Sequence, residues 1–545
     1  MERVRGRVRP RSYLLRNTRS TWQRVAARAL LVYAVVAAIL ILAHGPLLRL
    51  PYYWDEAGQF IPAATDIYQT GAWISHAATP NVHPPGLMAW LALAWRMFGF
   101  SILTTRIAML LLASFGAFTA FLLAIELSRG SPGTPAFTAL ALLCISPLFF
   151  AQSIMALLDM PAMGFTALAL LLFLRNRFRE AAIACVVLVM AKETGIVAPL
   201  VFGVWILFER RGVGTGGSRR DAAWFLLPVA ALGLWLLALR HFTGHWLGNP
   251  AFASYNLSFP LNPARFAFAL LRRLYYLFIG SGHFIGTGAF VYAWKCLPLL
   301  RDRPWRVAAT LAAAHALAVT ALGGALLERY LLPVLPILYA AFALALRALP
   351  ERPRQVALTC LVACLIGANF INPPYPFPFE NNLMFVSFID AERDAAAAAD
   401  TYSGAVATTF PMTTALANPD NGYLAHPHAV RELPDFRPAT IAALKSDPPP
   451  LMIVYSTELD PWHVRSTRAF RWFFGRYYDY ERPMTADEIS KTLNMRITRR
   501  WDNHGFSMYL LVRTDPVKMG MCLTHQTAIY SKFGGGRLSE KSGRV

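Results

Sequence analysis

Along the first two thirds of the chain the apolar residues come in long blocks separated by short polar segments. A membrane-spanning helix needs roughly 17 to 25 largely apolar residues. Blocks at about 25–47, 107–125, 134–158, 222–239, 274–294, 307–327, 330–346 and 355–370 qualify, and 160–174 runs uncharged from Asp159 to Arg175. The block 181–208 is interrupted only by Lys192 and Glu193 and is flanked by basic clusters at both ends, so it reads as a short hairpin of two spans. Two charges at a hairpin tip cost less than two at mid-bilayer. These pieces predict eleven spans. GLMAWLALAWRMFG (86–99) carries Arg96 and is ~21 Å long as a helix. Spanning would reverse the parity of every later basic loop, so it is expected to lie in the interface as an amphipathic helix anchored by Trp90 and Trp95.

The pattern changes at the proline-rich NPPYPFPFE (372–380). Beyond it come a helical stretch near 381–400, an extended AVATTF (405–410) and an apolar strand LMIVY (451–455). The aromatic-rich RAFRWFFGRYYDY (468–480) and a final strand SMYLLVR (507–513) follow. Strands alternating with helices suggest a small α/β domain, with the aromatics of 468–480 as its core and surface. The expected organisation is a basic segment 1–24, a transmembrane domain 25–370 with a long outer loop at 48–99, an α/β domain 371–517 and a disordered tail 518–545.

Composition agrees with this division. Only 15% of the 545 residues are charged and 56% are hydrophobic, which excludes an ordinary soluble chain. The net charge of +21 would suggest nucleic acid in a soluble protein. Its distribution says otherwise: residues 1–370 hold 33 Lys and Arg against 13 Asp and Glu, and the remainder holds 19 against 18. Eight arginines precede residue 25, so the N-terminus is expected in the cytoplasm. The apolar segment that follows is too long for a cleaved signal and lacks a small-residue cleavage site. With eleven spans the loops at Arg129, 175–179, 209–220, 301–306 and 347–354 also fall inside, and the C-terminal domain falls outside. The excess charge therefore records orientation in an inner or plasma membrane and needs no nucleic acid. Five of the six cysteines lie in the apolar part, so no disulfide framework is available.

Seven of the thirteen acids in the membrane part sit beside cytoplasmic arginines; the other six, Asp55, Glu56, Asp66, Asp159, Glu193 and Glu328, map to the outer side. Adjacent carboxylates such as Asp55 and Glu56 suit general-base chemistry, and an Asp there equally caps the helix DEAGQFIPAATDIYQT. Asp159, in SIMALLDMPAMG, is an N-cap candidate that sits at membrane depth. Arg106, Lys192 and Arg329 lie at the same boundary and suit a lipid phosphate, with snorkelling or pairing with Glu193 and Glu328 as the alternative. His83, in NVHPPG, adds a donor or metal ligand. RRGVGTGGSRR lacks the GK[ST] of a phosphate loop, and HFTGH lacks the glutamate of a zinc motif.

Taken in order, WDEAGQFIPAATDIYQTGAW, NVHPPGLMAWLALAWRMFG, LLDMP, AKETGIVAPLV and ERYLLPVLP resemble the GT-C polyprenyl-phosphate-sugar transferases of the family 39 type. That group includes the protein O-mannosyltransferases and the aminoarabinose transferase that modifies lipid A. The resemblance implies a polytopic α-helical membrane protein of the GT-C fold, about eleven transmembrane helices, with an extracytoplasmic α/β domain. It also implies that Asp55 and Glu56 match the first-loop acidic motif, whose Asp is the base, and that Asp159 matches the second. The phosphate-binding lysine of the aminoarabinose enzymes corresponds to His83, with Val82 in place of the preceding acid.

The expected reaction is an inverting transfer of a sugar from a polyprenyl phosphate to a hydroxyl or phosphate on a protein, lipid or glycan acceptor. Asp55 takes the acceptor proton, Glu56 and Asp159 hold sugar or acceptor, and Arg106, Lys192, Arg329 or His83 receives the phosphate. No cofactor is assigned, and a divalent metal is left open. The rival readings are a lipid-linked saccharide flippase, which needs charges along the depth of the bundle, and a non-enzymatic scaffold, which leaves Asp55 and Asp159 apart. The topology has a direct check: a cysteine placed at position 129 should be labelled only by reagents that reach the cytoplasm, and labelling from outside would overturn the count.

Overall fold

A computed structural model of the chain describes residues 29–129, 135–209, 218–297, 299–373, 377–456, 467–503 and 506–514. The basic segment 1–24 and the tail 518–545 lie outside the described residues, as do 210–217 of the glycine-rich connector. Helices fall where the apolar blocks lie. Among the described residues four are long and apolar enough to cross a membrane: Ile102–Leu127, Arg219–Thr243, Pro263–Ala293 and Glu328–Ala348. Shorter apolar helices include Ala29–Ala43, Pro135–Ile145, Asp159–Leu174 and Glu193–Phe208. Large side chains such as Leu234, Phe242, Val291 and Val356 stand exposed on the outside of the bundle. A contiguous apolar exterior of this kind demands hydrocarbon rather than water, and the chain is a membrane protein.

Small residues let the central helices approach. A Cβ added to Gly164 would meet the Gly116 Cα at 3.1 Å, and Thr119 Oγ1 donates to the Gly164 carbonyl at 3.2 Å. Such close backbone packing is a principal source of helix association in lipid. At one end of the bundle Glu126 pairs with Arg129 (2.7 Å) and Arg175 (2.8 Å), and Glu209 pairs with Arg303 (2.7 Å). The basic loops are thus drawn together at the end opposite Asp55, Asp159 and Lys192.

Three expectations are corrected. The block 134–158 is broken at Ser146, where Pro147 starts a second short helix, Pro147–Gln152. The block 274–294 is not one straight helix: Pro263–Ala293 is kinked at Gly280–Gly282, where Ser281 (φ 54°) and Gly282 (φ 88°) take left-handed conformations, which divides it into Pro263–Phe278 and His283–Ala293. Helix Gly86–Phe98 forms as expected, yet Trp90 and Trp95 are not surface anchors. Trp95 is buried with Nε1 donating to Thr105 Oγ1 at 2.9 Å, and Trp90 Nε1 donates to the Ala108 carbonyl at 3.2 Å. Buried indoles need such partners; Met97 and Phe98 occupy the exposed face instead.

The C-terminal part contains a five-stranded mixed sheet, order β2-β1-β3-β5-β4, with β1 Val406–Thr408, β2 Val430–Glu432, β3 Leu451–Tyr455, β4 Met495–Asn503 and β5 Phe506–Arg513. β1 runs parallel to β2 and β3, and β5 runs antiparallel to β3 and β4. The fully buried LMIVY strand sits at the centre. This layer packs directly on the first long loop, at Tyr52–Trp54. Tyr52 N donates to the Asn421 carbonyl at 3.0 Å, and the rings of Tyr53 and Trp54 meet Phe388 at 5.8 and 6.5 Å.

A buried carboxyl lies at that contact. The Tyr423 hydroxyl is 2.8 Å from Glu392 Oε2 and 3.0 Å from the Tyr52 carbonyl. A hydroxyl has one proton and a carbonyl only accepts, so both contacts are satisfied when Glu392 is protonated. Burial pushes the Glu392 carboxyl up to about 8, against the hydrogen bond from Tyr423. A raised carboxyl pKa means the folded state holds the proton longer than the unfolded state, so stability falls as pH rises from about 4.5 to about 8. Glu392→Gln should flatten that part of the pH–stability profile and gain stability relative to wild type above pH 8, measured by thermal unfolding in detergent. An unchanged profile would show that Glu392 is ionised in place.

Candidate active site

Each side chain of the site is placed by an irregularity in its element. Trp54 takes a left-handed backbone (φ 48°) immediately before a π-helical turn at Glu56–Phe60, which sends Asp55 and Glu56 in different directions. The Asp55 side chain makes no cap hydrogen bond. Asp159 is the first residue of helix Asp159–Leu174. Lys192 breaks the hairpin in an extended conformation (φ −155°, ψ 129°), so Lys192 and Glu193 diverge. Arg329 lies in the 3-10 stretch Glu328–Val334, which contains Pro333.

These irregularities converge on one guanidinium. Arg329 Nη2 bonds Asp55 Oδ2, Nη1 bonds Glu380 Oε2 at 2.9 Å, and Nε lies 3.4 Å from Asp159 Oδ2. Lys192 Nζ bonds the other Asp159 oxygen at 2.5 Å and sits 4.1 Å from the centre of the Tyr330 ring. Beside this cluster Arg272 Nε bonds Glu328 Oε1 at 2.6 Å, while Asn381 Nδ2 donates to Glu328 Oε2 at 2.6 Å. Glu193 Oε2 lies 2.9 Å from His83 Nδ1. Three carboxylates thus share Arg329, and only one is accessible: the Asp55 side chain is 29% exposed, against 4% for Asp159 and 6% for Glu380. Burial and the neighbouring carboxylates raise the Glu380 carboxyl to about 7 against the pull of Arg329.

A cavity of about 1670 Å³ opens onto this cluster. Asp55, His83, Asp159, Lys192 and Arg329 all reach its wall, with Gln59, Glu193, Asn256 and Arg272 adding polar groups. Leu232 and Leu236 from helix Leu226–Thr243, and Leu271, Leu274 and Phe278 from helix Pro263–Phe278, make an apolar arm. Leu271, Leu274 and Phe278 are partly exposed, so that arm opens on the apolar exterior of the bundle.

Glu56 and Arg106 do not join the cavity. They pair with each other in the interior, where Arg106 also donates to the carbonyls of Ile154 (2.9 Å), Leu50 (3.1 Å) and Pro51 (2.8 Å). Glu56 accepts from the backbone N–H groups of Ala156 (2.6 Å) and Tyr53 (3.0 Å). The pair clamps the first loop to the segment preceding Asp159, so Arg106 is not placed to receive a phosphate nor Glu56 to hold a sugar. Asp66 is likewise structural, accepting from Ser75, His76 and Ala77.

Glu380, Tyr330 and Arg272 were not singled out from the sequence. A lone acid closing a proline-rich linker was the available signal for Glu380. The aromatics of 468–480 are not domain core: Phe470, Phe474, Tyr478 and Tyr480 line the cavity. Among the described residues no group of three or more His, Cys, Asp or Glu side chains is arranged to hold a metal; the carboxylates that converge do so on a guanidinium.

The bundle and its sheet layer have the GT-C fold. The chain is similar to ArnT from Cupriavidus metallidurans bound to undecaprenyl phosphate, with a TM-score of 0.51 and 16% identity over 88% of this chain and 97% of that one. The apo form of the same ArnT gives 0.51 and 15% over 89% and 98%. The archaeal oligosaccharyltransferase AglB from Archaeoglobus fulgidus, in complex with an inhibitory peptide and a dolichol-phosphate, is more distant, with a TM-score of 0.43 and 13% identity over 68% and 58%. At these identities the likeness to ArnT is one of fold. No protein-family model and no characterised protein sequence matches the chain.

Removing one partner of a buried ion pair leaves an uncompensated charge and costs about 3–5 kcal/mol. Arg106→Gln should therefore lower stability by that order, with a matching drop in the thermal midpoint of the purified protein. A variant of wild-type stability that binds polyprenyl phosphate poorly would return Arg106 to the ligand site.

Proposed function

We propose that the chain is an integral membrane glycosyltransferase that moves a sugar from a polyprenyl phosphate to an acceptor hydroxyl or phosphate at the outer face of the membrane. The observation that carries this reading is the accessible Asp55 carboxylate on Arg329, at the polar end of a large cavity whose apolar arm opens to lipid. ArnT, which shares the fold, was solved with undecaprenyl phosphate. The proposed topology is eleven spans, with the N-terminus in the cytoplasm and the sheet domain outside.

In the proposed reaction the isoprenoid chain enters between helices Leu226–Thr243 and Pro263–Phe278. Its phosphate approaches Lys192, Arg329 and Arg272, with His83 at the side. The acceptor oxygen attacks the anomeric carbon on the face opposite the phosphate. The carbon–oxygen bond to phosphate breaks and its electron pair leaves on the polyprenyl phosphate, while Asp55 takes the acceptor proton. Asp159 does not need to touch the sugar: hydrogen-bonded to Lys192 and ion-paired with Arg329, it fixes the two cations on which the leaving charge develops. Preorganised charge of this kind requires no rearrangement during the reaction, which is why a buried network serves it better than solvated lysines.

General-base help is worth about 100 to 10,000-fold. Asp55→Asn should lose turnover by that order while remaining folded, with the loss exceeding any shift in thermal midpoint, in membranes supplied with a panel of labelled polyprenyl phosphate sugars. Near wild-type transfer by this variant would remove Asp55 from the chemistry.

A further inference from the structure

We propose that the helix Arg468–Tyr478 is an interfacial helix, which seats the sheet domain on anionic phospholipid headgroups beside the mouth of the cavity. Six of its eleven residues are aromatic, yet none is buried. Those residues divide into two stripes at helical spacing. Phe470, Phe474 and Tyr478 face inward and line the cavity. The ring of Phe268, on helix Pro263–Phe278, packs on Phe473 (5.3 Å), Phe474 (5.4 Å) and Tyr478 (6.1 Å), and Arg265 Nε donates to the Tyr477 carbonyl. On the opposite stripe stand Arg468, Trp472 and Arg476, with Arg471 on the flank, all exposed. Trp472 is 66% exposed. Of the acids that follow the helix, Asp479 lies 3.5 Å from Arg437 and Glu488 lies 2.5 Å from Arg482, while Glu481 is exposed.

The depth of this helix follows from its neighbour. Along helix Pro263–Phe278, Leu271, Leu274 and Phe278 are exposed apolar residues that need hydrocarbon. At 1.5 Å per residue they lie ~5 to 15 Å beyond Phe268 along the axis. Phe268, and the aromatic helix packed on it, therefore sits at the level of the headgroups. At that level an indole is at home, and arginines that pair with no acid among the described residues meet phosphate oxygens of anionic lipid. The occupant of the exposed stripe is thus phospholipid of the same leaflet, chosen by a tryptophan set between positive charges. The same helix that rests on the bilayer also walls the cavity, which links docking of the sheet domain to the shape of the site. The inference does not depend on the transferase reading.

The test uses the full chain in nanodiscs of phosphatidylcholine alone or mixed with phosphatidylglycerol, with or without bromine at shallow acyl positions. The emission of Trp472 is taken as the difference between wild type and Trp472→Phe, an exchange at an exposed site whose folding is checked by thermal midpoint. The expected result is that this difference emission is lost in brominated discs, and lost most fully with phosphatidylglycerol. Repeating the pair with Arg468, Arg471 and Arg476 all changed to Gln should abolish the dependence on phosphatidylglycerol. Equal difference emission with and without bromine would place Trp472 in water and overturn the proposal. Quenching that ignores lipid charge in the wild type would overturn the anionic headgroup as partner.

Discussion

Arg329 is the fixed point of the molecule. One guanidinium holds a carboxylate from the first long loop, Asp55, one from the start of helix Asp159–Leu174, Asp159, and one from the linker that leads to the sheet, Glu380. Ion pairs withdrawn from water gain little net stability, because desolvation offsets most of the Coulombic attraction. What they do supply is geometry. A planar fork with several donors accepts only a few arrangements of its partners, so three distant segments are held in one register. Lys192 balances part of the surplus negative charge from the hairpin tip.

The sheet domain is consequently part of the site. Glu380 reaches Arg329 from the linker, and helix Arg468–Tyr478 closes one wall of the cavity. Tyr423 and Asn421 hold the backbone of Tyr52, three residues before Asp55. The Glu56–Arg106 pair grips the same loop from below. A loop held on both sides in this way can keep a strained residue such as Trp54 and aim one carboxylate outward.

Much of this was legible in the sequence because bilayer physics writes long, simple signals. Apolar block length located the helices, and the break at Lys192 and Glu193 appears where two adjacent charges interrupt a hydrophobic run. Asp55, Asp159, Lys192, Arg329 and His83 stood out as charges or donors at the outer boundary and do meet one cavity. Illegible was which charges pair with each other. Glu56 and Asp55 are neighbours in the chain, and only the π-helical turn sends one inward to Arg106 and the other to the cavity. β4 was missed because MRITRRWDN is an edge strand, and edges carry charged residues that hide their alternation. The aromatics of 468–480 read as core and surface of the sheet domain because composition alone does not distinguish a buried face from one that lines a cavity or faces lipid.

Under the proposed function a polyprenyl phosphate binds with its phosphate at the Arg329 cluster and its chain in the apolar arm. An experimental structure of the protein in a lipid nanodisc with undecaprenyl phosphate tests it most directly. Phosphate density is expected within hydrogen-bonding distance of Lys192, Arg329 or Arg272, with isoprenoid density running between helices Leu226–Thr243 and Pro263–Phe278. Lipid phosphate bound elsewhere, with the Asp55–Arg329 end of the cavity filled only by water, would contradict it.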